Sequence, residues 1–126
     1  MMWLNFFSDL PAHSPAGSPG MQVVIEVDVS QDTAVMVVTG DLDLITRPVL
    51  AERLSAVLGA SPRRLVLDLA ASGFMDCGSA RVVASAGRFL PEGGRLIIRH
   101  ASPAIRRVLE LTGYVAGLEI EDDLKE

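Results

Sequence analysis

From residue 22 onward the chain alternates short runs of β-branched and aliphatic residues with longer amphipathic segments, and Gly, Pro or a short polar residue marks almost every join. A chain that switches repeatedly between a two-residue and a 3.6-residue hydrophobic period has few options. Its strands must be linked by helices that cross back over the sheet, which gives a largely parallel sheet. The first two runs, QVVIEVDV from Gln22 and TAVMVVTG from Thr33, are separated by little more than Gln31-Asp32, so they can pair as an antiparallel hairpin. GDLDL then leads into a helix with Thr46 as candidate cap and Arg47 and Pro48 in its first turn. Leu50, Leu54, Val57 and Leu58 fall on one face, and Gly59 and Pro62 end it. RLVLDLA is a strand apolar enough to be covered on both sides. Asp76 can cap a second helix whose inner stripe is Val82, Val83, Ala86 and Leu90 and which Gly93-Gly94 ends. RLIIRH is the next strand. Ser102-Pro103 opens a third helix lined by Ile105, Val108, Leu109 and Thr112 and stopped by Gly113, and LEIED is a last, weaker strand. The expected class is α/β, in the order β-β-α-β-α-β-α-β, with a small mixed, mostly parallel sheet.

The length of 126 residues suits one domain, and 49% hydrophobic residues suffice for a core. Aromatics make up only 5%, so that core is aliphatic. A net charge of −5 argues against a nucleic-acid partner, which would need a basic surface. The one cysteine, Cys77, excludes an internal disulfide and a cysteine-rich zinc site, and His13 and His100 lack metal-ligand spacing. No metal or cofactor is expected. Residues 11–20, PAHSPAGSPG, have linker chemistry, so 1–20 reads as an apolar and Pro-rich N-terminal extension and 21–126 as the domain. Met21 is an alternative start, and Trp3, Phe6 and Phe7 read either as a short docking segment or as a mobile tail. MMWLNFFSDL lacks the basic leader of a signal peptide, and no run reaches the ~18 apolar residues of a membrane span, so the expected address is the cytoplasm.

No enzyme constellation is present. There is no P-loop, no Gly-x-Ser-x-Gly and no Cys-His pair with an orienting third group, and neither AGSPG nor PEGGR joins a strand to a helix.

Four pieces, in order, resemble the sulfate-transporter and anti-sigma-factor-antagonist (STAS) family, in particular its bacterial anti-sigma factor antagonists. They are VTGDLDLITRP, RRLVLDLAASGFMDCGSA, GGRLIIRHASPAIRRVLELTG and a closing strand near Leu118 and Ile120, together covering about Gln22 to Glu121. The resemblance implies helices packed mainly on one face of the sheet. It also implies that the chain binds an anti-sigma factor with a histidine-kinase-like ATPase fold and so frees a sigma factor. The implied partner-binding residues are Asp43, Met75, Asp76, Cys77, Gly78, Ser79 and Val82. Asp43 and Asp76 would lie near each other at one end of the sheet, as caps and as an acidic rim, with Asp41 facing solvent. Phe74 is expected in the core, Met75 partly exposed, Gly73 at the turn of the loop and Asp68 at the end of its strand. Arg81 and Arg88 share a helix face that can meet acidic groups, and Arg99 and His100 end a strand. A monomer or weak dimer is expected.

In the family's partner switch, the serine just after the Asp of the Phe-Met-Asp motif is phosphorylated, and the added charge drives the complex apart. Here that position is Cys77, followed by Gly78 and Ser79. A thiol is not a phosphoacceptor for this chemistry. Four readings stay open: an antagonist not switched at this position, a redox-sensitive one at a helix N-terminus, phosphorylation displaced to Ser79, or a packing residue in a domain with another kind of partner. The last would make the chain an accessory subunit of a transport or other ATPase complex, or a ligand-responsive sensor.

Overall fold

A computed structural model describes residues 23–112 and 118–121 of the chain. Strands β1 (Val24–Ser30) and β2 (Thr33–Thr39) form the expected antiparallel hairpin, closed by the pair Ser30 and Thr33. Gln31, with φ of 55°, supplies the left-handed residue that such a short connection needs. Helix α1 (Arg47–Leu58) leads to β3 (Arg64–Ala71), α2 (Cys77–Gly87) to β4 (Arg95–Arg99), and α3 (Pro103–Leu111) to β5 (Leu118–Ile120). The strands lie side by side in sequence order, with β2 through β5 parallel.

One face of the sheet carries the core. Ile25, Met36, Leu65, Leu67, Leu96 and Ile98 pack with Leu50 and Leu54 of α1, Val83 and Ala86 of α2, and Ile105 and Leu109 of α3 in a single cluster. The three helices of the described residues therefore sit on that face, as the resemblance implied. The opposite face bears the alternate residues, in register across the strands: Val35, Val66, Ile97 and Glu119 in one row, Val37, Asp68 and Arg99 in the next. Asp68 is thus half-buried on this second face, and its carboxylate accepts a hydrogen bond from the Ala70 amide at 3.0 Å. Just beyond it the β2–β3 register slips, so that Val37 faces Asp68 but Thr39 faces Ala71, one extra residue on β3. Bulges of this kind re-aim the chain, and this one lies immediately before the loop that carries the motif.

One boundary and one cap differ from the sequence reading. Helix α2 ends at Gly87 rather than near Gly93. Gly87 is a poor helix residue that packs close to Leu96, and Arg88 and Phe89 turn back in shorter bonds to Ser85 and Ala86. Thr46 precedes α1 but its side chain does not cap it. Ser102 does cap α3, accepting from the Ile105 amide at 3.2 Å. The extension 1–20, the residues Met21 and Gln22, and the stop signal Gly113 lie outside the described residues.

Candidate functional site

At the C-terminal ends of β2 and β3, two loops are stitched together by a parallel bridge between Leu42 and Met75. The Leu42 amide donates to the Phe74 carbonyl at 2.8 Å and the Asp76 amide to the Leu42 carbonyl at 2.9 Å. This short extra rung decides which side chains are buried. Leu42 and Met75 turn into the core, Met75 being 1% exposed, and strand-like alternation forces Phe74 outward to 48% exposed. The expected placement is therefore reversed. Met75 is a core residue, not a partly exposed contact, and Phe74 is a surface residue, not a core one.

The loop before α1 is a reciprocal cap. The Asp43 carboxylate accepts from the amides of Ile45 and Thr46, each at 3.0 Å, while the Asp43 amide donates to the Thr46 hydroxyl at 3.0 Å. That hydroxyl also donates to the Asp41 carbonyl at 2.8 Å. This is the exchange of a capping box, with Asp43 as the cap and Thr46, three residues on, as its partner. Asp43 thus ties down the loop as expected, and it is Asp43 rather than Thr46 that caps. The tight turn leaves Leu44 and Ile45 pointing outward, 70% and 60% exposed.

Asp76 caps α2, its carboxylate accepting from the Ser79 amide at 2.8 Å. Its other oxygen takes a hydrogen bond from Arg47 at 2.9 Å, an ion pair that joins the start of α1 to the start of α2. Partial burial alone would raise the pKa of Asp76. The Ser79 amide and the Arg47 charge and hydrogen bond together outweigh it and hold the carboxyl below its ordinary value. Gly78 makes room for this pair, because a Cβ there would overlap the Arg47 guanidinium. Although the bridge sets Asp43 and Asp76 on adjacent segments, each carboxylate is committed to its own helix start.

Cys77, the first residue of α2, is exposed, and Arg81, one turn along the same helix face, is exposed too. Ser79 and Val82 are not surface groups. Ser79 is 0% exposed and Val82 belongs to the core cluster, because both fall on the inner face of α2. Of the seven expected contact residues, Met75, Ser79 and Val82 are thus buried, Asp43, Asp76 and Gly78 are half-buried, and Cys77 is open. Leu44, Ile45 and Phe74, which sequence reading did not place at the surface, join it at this end of the sheet. For Leu44 and Ile45, two apolar residues between Asp43 and Thr46, outside any periodic stripe, were the available signal.

Among the described residues no three metal-binding side chains gather, and no helix is long and apolar enough to cross a membrane. The family model of the STAS domain matches residues 24–126. An anti-sigma factor antagonist from Mycobacterium paratuberculosis is similar in structure, with a TM-score of 0.75 and 27% identity over 85% of this chain and 91% of that one. The unphosphorylated form of the anti-sigma factor antagonist SpoIIAA aligns with a TM-score of 0.61 at 22% identity, over 81% of this chain and 91% of its own. The phosphorylated form of SpoIIAA, a Bacillus cell-fate determinant, aligns with a TM-score of 0.60 at 21% identity, over 79% of this chain and 93% of its own.

Proposed function

The chain belongs to the STAS domain family, and from that premise we propose that it is an anti-sigma factor antagonist that binds a kinase-type anti-sigma factor through the surface around Cys77. The observation that carries this reading is the pairing of an exposed Cys77 at the start of α2 with an apolar rim, Leu44, Ile45 and Phe74, on loops that are hydrogen-bonded to each other and capped. Outward-facing apolar groups on a rigid frame are a common mark of a protein contact. The likeness to antagonists of solved structure points the same way.

The footprint is then Leu44, Ile45, Phe74, Cys77 and Arg81, with Asp43, Asp76 and Gly78 as its frame. A hydroxyl at position 77 would be accessible to a kinase, whereas the hydroxyl of Ser79 is sealed in the core, so phosphorylation displaced to Ser79 is not part of the proposal. This antagonist is not switched off by phosphorylation at the position the family uses.

A pull-down from the native cell extract with the full chain tests the reading, with Cys77→Asp as control. Recovery of a kinase-like anti-sigma factor by wild type and its loss with Cys77→Asp is the expected result. An acidic residue in the first turn favours α2 itself, so the loss would not arise from unfolding. Recovery of transport-complex subunits instead would shift the assignment to an accessory subunit.

A further inference from the structure

The face of the sheet opposite the described helices holds a feature that the partner surface does not explain. Val66 and Ile97 are in register on β3 and β4 and each is only 2% exposed, yet neither belongs to the core cluster under the helices. Val35 continues the stripe onto β2, half-buried. Among the described residues no helix or strand lies over it. Arg95 and Arg99, which flank the stripe, are paired with Glu119 and Glu121 toward the β5 side.

We propose that the chain's own N-terminal segment, through Trp3, Leu4, Phe6 and Phe7, covers this stripe. Three segments lie outside the described residues, and of these residues 113–117, GYVAG, are only five long and tied at both ends between α3 and β5. Residues 122–126, DDLKE, offer one apolar side chain, whereas residues 1–10 offer seven in MMWLNFFSDL. Reach also fits. From the start of β1 the middle of the stripe is about 12 Å across the strands and about 13 Å along them, or roughly 18 Å in all. The 12 residues from Pro11 to Gln22, if flexible, span roughly 20 Å. Three aromatics can bury several hundred Å² against such a surface.

Trp3 is the chain's one tryptophan, so its fluorescence reports on this contact in the intact protein. In the full chain its emission should be blue-shifted and protected from acrylamide, relative to the same chain in concentrated guanidinium chloride. Val35→Glu should shift it to the red and open it to quencher while the far-UV circular dichroism stays unchanged. Phe6→Asp with Phe7→Asp, which leaves the sheet's own sequence intact, should do the same, and Glu52→Lys on exposed α1 should not. Native emission and quenching equal to those of the unfolded chain would overturn the proposal. So would protection that vanishes on dilution together with a dimer, since a second copy would then be the cover.

Discussion

At the scale of single residues, Asp76 joins the two helix starts that frame the site. Its carboxylate has two tasks, the cap on the Ser79 amide and the pair with Arg47, and substitutions separate them. Asn keeps a capping oxygen and loses only an ion pair whose side chains are 24% and 26% exposed, so Asp76→Asn should cost under about 1 kcal/mol. Asp76→Ala loses both and should cost about 1–2 kcal/mol in urea unfolding. The sign of the pH effect follows from the lowered pKa. A carboxyl with a folded pKa below its unfolded one adds stability above the unfolded value, near 3.8 for this group, and that stability is lost as pH falls through the folded value. Wild type should therefore lose stability below about pH 4 more steeply than Asp76→Asn. Equal acid profiles would remove Asp76 from this role. Gly78→Ala would displace the flexible Arg47 tip rather than break the helix, and it should flatten the acid profile in the same way.

At the scale of elements, the junction before α1 depends on one buried hydroxyl. Thr46→Val removes a donor to Asp41 and an acceptor from Asp43 while keeping the shape, and should destabilise by about 1–3 kcal/mol. Thr46→Ser, which keeps the hydroxyl, should recover most of that in the same unfolding assay. This junction also marks where sequence reading reached its limit. Thr46 before Arg47-Pro48 has every local property of a helix cap, and a single sequence cannot tell that Asp43 starts the turn three residues earlier. The exchange of Phe74 and Met75 has a similar cause. By size and polarity Phe belongs inside and Met adapts to a surface, but the Leu42–Met75 rung sets the alternation, and that rung joins loops 33 residues apart in sequence. The caps at Asp76 and Ser102 were legible because each stands directly before the first residue of its helix.

At the scale of the whole molecule, the alternation of strand and helix signals specified the fold class, since each crossover segment was long enough for one helix and little else. The place of the motif loop, between β3 and the start of α2, was legible too. Its composition was only half legible. Which residues near Cys77 face outward depends on how two distant loops pair, so Leu44, Ile45 and Phe74 replace Met75, Ser79 and Val82 in the proposed contact surface. The character of the second sheet face was also hidden. RLVLDLA reads as a strand covered on both sides, and Val66 is indeed buried on the side away from the described helices, but the strand pattern does not say by what.

The most direct test of the account is the affinity of the full chain for the kinase-type anti-sigma factor it captures, measured by titration calorimetry for wild type, Phe74→Asp and Cys77→Asp. Neither position belongs to the core, so both variants should fold as wild type does. A charge placed in a buried contact should weaken binding by at least ~tenfold, or about 1.4 kcal/mol, in each variant. Wild-type affinity in both would contradict the assignment of this surface to the partner.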